Sequence, residues 1–280
     1  MAAHKKNEGF FSGEGGAELY FHSYMPKKPK GILAVTHGLG EHSGRYQFLI
    51  DYFLPLNWGI HLFDHRGHGK SPGVRTHTPS FSSLTEDLGL FLKKVRGQSE
   101  GLPLFLIAHS FGGQVAVNYL ANRPIPMNGA VISSPNLKLV LAVPWIKKFV
   151  ARRLSFVLPT LSLGSDIDAS FVSRDVKVVE KYRDDPLLSR RMTLRMGAEI
   201  LGNLERIMAL APKIKVPSLF LHGSADKITS CEGTQEFFMA MKAPHRELKV
   251  YPGYYHELFN ETGKERVFAD MEKWMEARIA

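Results

Sequence analysis

The segment Leu102 to Gly113, with the sequence LPLFLIAHSFGG, is the most informative part of the chain. It begins as an apolar run that predicts a buried strand, and a helical segment follows its serine directly. A serine at the tip of such a sharp turn is strained, so small residues must stand two positions away on either side. Ala108 and Gly112 meet this requirement. We therefore predict that Ser110 is a nucleophile presented at the end of a strand.

Strands and helices alternate on both sides of this segment. Buried-type strands are predicted at Gly31–Thr36, Gly59–Phe63, Gly129–Ser133, Pro217–Leu221 and Glu247–Tyr251, with helical segments between most of them. This alternation predicts an α/β fold with a mostly parallel sheet covered on both faces.

The alternation breaks in one long region. Leu137–Leu161 is apolar and helix-like, and further helices are predicted up to Arg206. We expect residues 136–206 to form a helical cap inserted into one α/β domain, which is made of residues 1–135 and 207–280.

Two more strand ends carry the partners that a serine nucleophile needs. Asp226 follows the strand that ends at Leu221, and His256 follows the strand that ends at Tyr251. The carboxyl ends of parallel strands meet at one edge of a sheet, so we expect Ser110, Asp226 and His256 to meet there. A histidine activates the serine as a general base, and a carboxylate orients that histidine. The chain order serine, aspartate, histidine is that of the α/β-hydrolases.

The developing oxyanion needs two backbone amides that already point towards it. One comes from Phe111, the residue after the nucleophile. For the other we predict Leu39, because the His37–Gly40 loop follows the Gly31 strand and its glycines allow a close approach to the serine.

Composition narrows the class of protein. The 280 residues carry a net charge of +9, but the basic residues are spread along the chain without a nucleic-acid module, so we expect no nucleic-acid partner. Cys231 is the only cysteine, which excludes an intrachain disulfide and a thiolate metal cluster and favours a reducing compartment. The first residues lack a signal-peptide core, and no apolar run approaches the roughly 18 residues of a membrane span. We therefore expect a cytoplasmic protein.

The segment Asp64 to Ser71, DHRGHGKS, contains two misleading motifs. Its end resembles a phosphate-binding loop, but that loop needs glycine where Asp64 stands. His65 and His68 suggest a metal site, but no matching ligand run occurs elsewhere in the chain. We predict a polar turn here, and neither a metal nor an organic cofactor.

The motifs His37–Tyr46, Phe63–Ser71, His109–Gly113 and His222–Asp226 together resemble the monoacylglycerol lipase and lysophospholipase-like branch of the α/β-hydrolases. The resemblance extends from about residue 10 to the C-terminus. It implies esterase chemistry on single-chain acyl lipids beneath a mobile helical cap.

The resemblance also bears on the head group of the substrate. It implies that Glu41 and Arg45 bind or organise the glycerol end, although a structural network within their loop is an equal alternative. The chain departs from the family pattern at Ala108, where glycine is usual. It also departs at Phe259, where mammalian monoacylglycerol lipases have a second histidine for the glycerol hydroxyls. Head-group preference is therefore open.

The start of the predicted cap is basic and apolar. Residues 138–153 contain five basic side chains and no acidic one, interleaved with aliphatic and aromatic residues. This pattern suits transient contact with an anionic membrane surface, which would make the protein peripheral. The alternative is an ordinary cap helix that roofs the acyl pocket.

Our hypothesis is a serine carboxylester hydrolase that cleaves monoacylglycerols or similar monoacyl lipids through an acyl-enzyme. The alternatives are a lysophospholipase, a general carboxylesterase, a peptidase on the same fold, and a non-catalytic lipid-binding protein.

Overall fold

The computed structural model describes residues 5–122, 124–140, 152–164 and 168–279. Its strands are β1 Lys5–Ser12, β2 Glu18–Met25, β3 Gly31–Thr36, β4 Trp58–Phe63, β5 Leu104–His109, β6 Gly129–Ser133, β7 Ser162–Gly164, β8 Arg191–Thr193, β9 Ser218–Gly223 and β10 Arg246–Tyr251. Eight of them form one sheet in the order β1-β2-β4-β3-β5-β6-β9-β10. In this sheet β2 pairs antiparallel with β1 and β4, and the pairs from β4 to β10 are parallel. The predicted α/β fold with a mostly parallel sheet is confirmed.

The inner strands are buried on both faces, as their continuous apolar sequences require. On β5, Leu104, Leu106 and Ala108 pack into one core cluster, whereas Phe105 and Ile107 pack into the other. This alternation follows from the two-residue period of a strand. The sheet therefore separates two hydrophobic cores, one on each face.

Helices supply the outer layers. They are α1 Gln47–Phe53, α2 Phe81–Gln98, α3 Phe111–Asn122, α4 Val176–Asp184, α5 Leu194–Ile207, α6 Cys231–Ala240 and α7 Lys264–Glu276. Apolar residues of α2, α3, α5 and α6 belong to one core cluster, and those of α1 and α7 belong to the other. Both faces of the sheet are thus covered.

The region expected to form the cap lies between β6 and β9, and its described residues contribute no strand to the large sheet. Residues 152–157 are helical, and α4 and α5 follow. The short strands β7 and β8 form an antiparallel pair that the sequence analysis did not predict. Three-residue strands are too short to show an alternating pattern. Most of the basic, apolar start of the cap, residues 141–151, lies outside the described residues.

Candidate active site

Ser110 occupies the turn between β5 and α3. Its φ of +54° lies in the left-handed region, which a non-glycine residue adopts only when its surroundings impose it. Three backbone hydrogen bonds hold the turn: Ser110 N–H donates to Ser133 O at 2.9 Å, and Ser110 O accepts from Gln114 N–H at 3.1 Å and Asn136 N–H at 3.0 Å. The strained turn is therefore fixed from both sides.

Gly112 is required by close packing under this turn. A β-carbon at Gly112 would lie 2.5 Å from His37 O and 2.6 Å from Thr36 O, both of which are backbone atoms. The absent side chain thus lets α3 start directly against the end of β3. The sequence prediction of a small residue at this position has a direct steric cause.

The structure brings the three predicted side chains together. His256 Nε2 lies 2.8 Å from Ser110 Oγ, and His256 Nδ1 lies 2.7 Å from Asp226 Oδ2. All three are buried, with 9% or less of each side chain or residue exposed. The loops after β5, β9 and β10 meet at the carboxyl edge of the sheet, which places residues 146 positions apart within hydrogen-bonding distance.

Asp226 is held by more donors than the sequence analysis considered. Its Oδ1 accepts from the N–H groups of Ile228 at 2.8 Å and Thr229 at 3.0 Å. Its Oδ2 accepts from Thr229 Oγ1 at 2.9 Å and lies 3.2 Å from Nε2 of the fully buried His222. Both oxygens of the carboxylate therefore have more than one polar partner, and these partners fix its orientation towards His256.

The two titratable partners shift each other. Burial raises the pKa of Asp226, but His256 and His222 lower it by more than burial raises it. The pKa of Asp226 therefore lies well below its ordinary value. Burial lowers the pKa of His256, but Asp226, with the negative charges of Glu257 and Glu41, raises it above its ordinary value of 6.5. A histidine with a raised pKa is a stronger proton acceptor, which is the property that a general base needs.

The predicted oxyanion loop lies against the serine. A β-carbon at Gly38 would stand 3.3 Å from Ser110 Cβ, so the loop approaches Ser110 closely. The Gly38 N–H donates to Glu41 Oε1 at 2.6 Å, which leaves the next amide, that of Leu39, as the candidate donor. Phe111 is the first residue of α3, and the N–H of a first helical residue has no partner within its helix.

Glu41 and Arg45 form a buried network that includes a residue the sequence analysis missed. Arg45 Nη1 donates to Glu41 Oε2 at 2.9 Å and to Glu257 Oε1 at 2.6 Å, and Arg45 Nη2 donates to Glu257 Oε2 at 2.8 Å. Tyr46 Oη and Gly38 N–H both donate to Glu41 Oε1. The structural network expected as an alternative is therefore present. The sequence offered one indication of a role for Glu257, because this acidic residue directly follows the candidate histidine, His256.

Phe259 belongs to the core. It is 3% exposed, and its ring lies 5.9 Å from that of Phe268 and 6.3 Å from that of Tyr46, measured between centroids. It also contacts the ring of His109, which in turn lies 4.8 Å from the ring of His256. Phe259 thus packs against His109, which packs against His256, and it offers no polar contact.

The segment Asp64 to Ser71 braces the loops around the site. His65 N–H donates to His37 Nε2 at 2.9 Å, and Asp64 Oδ1 accepts from Ser43 Oγ at 2.6 Å. Burial lowers the pKa of His37 to about 4 and that of His68 to about 3, so both are neutral at pH 7. In the part of the chain that the structure describes, no group of histidine, cysteine and carboxylate side chains has the arrangement to hold a metal ion.

Comparisons with known proteins agree with this architecture. A family model described as serine aminopeptidase, S33 matches residues 27–263. The monoglyceride lipase of Homo sapiens is 37% identical over 273 residues, which is 95% of this chain and 89% of the human protein. The crystal structure of Paleococcus ferrophilus monoacylglycerol lipase superimposes with a TM-score of 0.84 at 34% identity, covering 93% of this chain and 99% of that one.

A further relative is much longer. The chain is 33% identical over 264 residues to an abhydrolase domain-containing protein of Dictyostelium discoideum and spans 28% of that protein's length. The family resemblance stated from the motifs is confirmed by the family model and by the human protein. The chain belongs to the serine aminopeptidase S33 family of α/β-hydrolases, in which monoglyceride lipases are its relatives.

Proposed function

We propose that this enzyme is a serine carboxylester hydrolase that cleaves monoacylglycerols or similar monoacyl lipids to a free fatty acid and an alcohol. The observation that carries the proposal is the continuous hydrogen-bond chain from Ser110 Oγ through His256 to Asp226. The relatives named monoglyceride lipase support the lipid substrate.

The first half of the reaction acylates the serine. Ser110 Oγ attacks the ester carbonyl while His256 Nε2, at 2.8 Å, takes its proton. Asp226 holds the tautomer that leaves Nε2 free to accept this proton, and it stabilises the imidazolium that forms. The amides of Leu39 and Phe111 stabilise the oxyanion, and His256 then protonates the leaving alcohol.

The second half removes the acyl group. Water enters, His256 takes one of its protons, and the resulting hydroxide attacks the acyl-enzyme carbonyl. The same two amides stabilise the second oxyanion. Collapse of this intermediate releases the fatty acid and returns the proton to Ser110. None of these steps needs a metal or an organic cofactor.

The arrangement favours an ester substrate over a peptide with a free amine. An aminopeptidase needs a carboxylate that can receive the substrate ammonium group. Both oxygens of Glu41 and both of Glu257 already accept hydrogen bonds from Arg45 or from other groups of the protein. We propose that Glu41 and Arg45 shape the alcohol side of the site through this network.

Fatty-acid release from a long-chain monoacylglycerol tests the proposal, with native protein compared to Ser110→Ala. We expect the loss of the nucleophile to reduce kcat by about 10⁵ or more while the fold is kept. Ser82→Ala is the matched control, because Ser82 is exposed on α2. Release by the native protein that persists in Ser110→Ala would overturn the mechanism.

A fluorophosphonate probe separates the remaining alternatives. Labelling that disappears in Ser110→Ala but not in Ser82→Ala supports an activated serine, whereas an inert native protein favours a non-catalytic lipid-binding protein. A native protein that cleaves soluble esters but no monoacylglycerol would point to a general carboxylesterase. Cleavage of aminoacyl anilides in preference to esters would favour the alternative that the protein is a peptidase.

We also propose transient contact between the cap and a membrane surface. The segment from Leu154 to Leu163 exposes apolar side chains next to Arg152 and Arg153. The exposed fractions are Leu154 42%, Phe156 69%, Val157 75%, Leu158 48%, Leu161 47% and Leu163 55%. Apolar side chains beside basic ones suit the boundary between head groups and acyl chains. None of the described helices is long and apolar enough to cross a bilayer.

Sedimentation with liposomes tests this contact. We expect Phe156→Ser combined with Val157→Ser to weaken binding to anionic vesicles at least fivefold, because two exposed apolar side chains are lost. Met239→Ser is the control, since Met239 is 74% exposed on α6, outside the cap segment. Equal sedimentation of all three proteins, or no preference for anionic lipid, would contradict the proposal.

A further inference from the structure

We propose that Glu257 is a specificity-determining residue, which makes the alcohol side of the site accept uncharged leaving alcohols and reject anionic ones such as phosphate-bearing head groups. The inference rests on the proposed ester hydrolysis and adds a rule for the substrate class. It follows from the charge of a buried cluster that consists of Glu41, Arg45 and Glu257, which we call the acidic cluster.

The guanidinium of Arg45 is already occupied by carboxylates. Both of its terminal nitrogens donate to Glu257, at 2.6 and 2.8 Å, and one of them also donates to Glu41 at 2.9 Å. The ring of Tyr182 from α4 covers the guanidinium at 4.7 Å from its centroid. Three of the four N–H groups on these nitrogens are therefore already used by carboxylates, which weakens Arg45 as a ligand for a substrate phosphate, although an arginine beside a head-group site would otherwise be the usual phosphate ligand.

The acidic cluster carries two negative charges and one positive charge, a net charge of −1. Its side chains are 6–8% exposed. Burial raises the pKa of Glu257, but the guanidinium of Arg45 lowers it by more, and the hydrogen bond from Asn260 lowers it as well. The pKa therefore lies below its ordinary value, and the Glu257 carboxylate is ionised. A buried net charge is screened by salt much less than a surface charge, so it acts on a nearby substrate charge at physiological ionic strength.

The acidic cluster lies between the nucleophile and a solvent-connected cavity. On the inner side, Glu41 accepts a hydrogen bond from Gly38 N–H, and a β-carbon on Gly38 would lie 3.3 Å from Ser110 Cβ. On the outer side, Arg45 and Asn260 line a cavity of about 370 Å³. A leaving alcohol at Ser110 that extends in this direction faces the acidic cluster.

The rim of this cavity does not reverse the charge. Lys181 lines it together with Asp51 and Asp185, so one cation is opposed by two carboxylates. His42 Nδ1 accepts from Gly44 N–H, so His42 Nε2 donates to Asp185 Oδ2 at 2.9 Å. The charged side chains that line this cavity outside the acidic cluster are therefore one cation and two carboxylates, beside a negative interior.

The test compares two butyrate esters whose leaving phenols have similar acidity but differ in charge, the neutral p-chlorophenyl butyrate and the anionic p-sulfophenyl butyrate. The quantity measured is the ratio of their kcat/KM values in native protein, Glu257→Gln and Glu257→Asp. We expect the native ratio to exceed tenfold in favour of the neutral ester. At roughly 8 Å and an effective dielectric constant of about 20, one charge corresponds to about tenfold to thirtyfold, so Glu257→Gln should lower the ratio by this factor. Glu257→Asp keeps the charge and should keep the ratio.

Asp87→Asn is the matched control. Asp87 is a buried carboxylate on α2 that pairs with Arg66 at 2.7 Å, so its loss removes the same charge and a similar ion pair outside the acidic cluster. Thermal unfolding establishes that each variant folds. The ratio in Asp87→Asn should equal the native ratio even though its stability falls.

The results decide the inference whatever the lipid substrate is. A native ratio near one overturns it without any variant, so failure of Glu257→Gln to fold does not protect it. A folded Glu257→Gln with the native ratio, or an Asp87→Asn with an equally lowered ratio, also overturns it. The proposed lipase function is tested separately, with monooleoylglycerol against its phosphate-bearing counterpart. Loss of monooleoylglycerol hydrolysis with the butyrate ratio intact would contradict only that function.

Discussion

Replacing Asp226 with asparagine exchanges one oxygen for an amide nitrogen, and the surrounding hydrogen bonds dictate where that nitrogen goes. Oδ1 accepts from the backbone N–H groups of Ile228 and Thr229, at 2.8 and 3.0 Å, so the amide oxygen must take this position. The amide nitrogen then takes the position of Oδ2, 2.7 Å from His256 Nδ1. It donates to Nδ1 and forces the proton of the imidazole onto Nε2, which faces Ser110.

The size of the effect follows from this tautomer. An imidazole that carries its proton on Nε2 cannot accept the proton of Ser110 Oγ, 2.8 Å away, although the distances stay nearly the same. In a serine triad the exchange of aspartate for asparagine lowers kcat by about 10⁴, which is about 5.5 kcal/mol of transition-state stabilisation. The new amide N–H also meets the donor of His222, so we expect a further loss of folding stability of about 1–2 kcal/mol.

The assay is the initial rate on p-nitrophenyl butyrate, with folding monitored by circular dichroism and thermal unfolding. Asp270→Asn is the control, since Asp270 on α7 pairs with Lys249 and Tyr251 of β10 and not with the triad. We expect Asp270→Asn to keep kcat within about twofold. A folded Asp226→Asn that loses less than about 30-fold would refute the argument from donor positions.

Three further predictions concern the turn at Ser110, the protonation of His256 and a buried amide network. Gly112→Ala places a β-carbon 2.5 Å from a backbone oxygen and should cost several kcal/mol in denaturant unfolding together with most of the activity. Gly97→Ala on α2 meets nothing within 4 Å and should be neutral or gain about 0.5–1 kcal/mol. His256 must be neutral to act as a base and its pKa is raised, so kcat/KM for the soluble ester should fall as the pH drops through a value above 6.5; an acid limb below 6.5 would contradict this. Asn203→Leu removes the buried oxygen that accepts hydrogen bonds from the side-chain amides of Gln114, at 2.9 Å, and Asn118. This change should lower the free energy of unfolding by about 2–4 kcal/mol, while the pH profile of the activity stays unchanged.

Much of the fold was predictable because it depends on local patterns. Short continuous apolar runs bounded by turn residues are typical of buried strands in a parallel sheet, and the segments between them had helical spacing, so the α/β class followed. The turn at Ser110 was predictable for a related reason, because a small residue at position 112 is the direct result of backbone contact with β3. The pair β7 and β8 escaped prediction because two three-residue strands have no period to detect.

Residue type and strand order predict that Ser110, Asp226 and His256 lie at one edge of the sheet. Their chain order and their positions just after strands were sufficient, because parallel strands deliver their carboxyl ends to the same edge. The network around them was a different matter. Arg45 meets Glu257 across 212 positions of sequence, and His222 meets Asp226 through the turn after β9.

These long-range pairings depend on how the loops pack on one another, and no spacing rule describes that packing. Arg45 could have faced a substrate or another loop, and its local sequence is the same in either case. The folded chain turns it towards two buried carboxylates, where strong attraction at low dielectric outweighs the loss of hydration. The type of chemistry could therefore be predicted from short motifs, whereas the charge of the acidic cluster depends on contacts between distant loops.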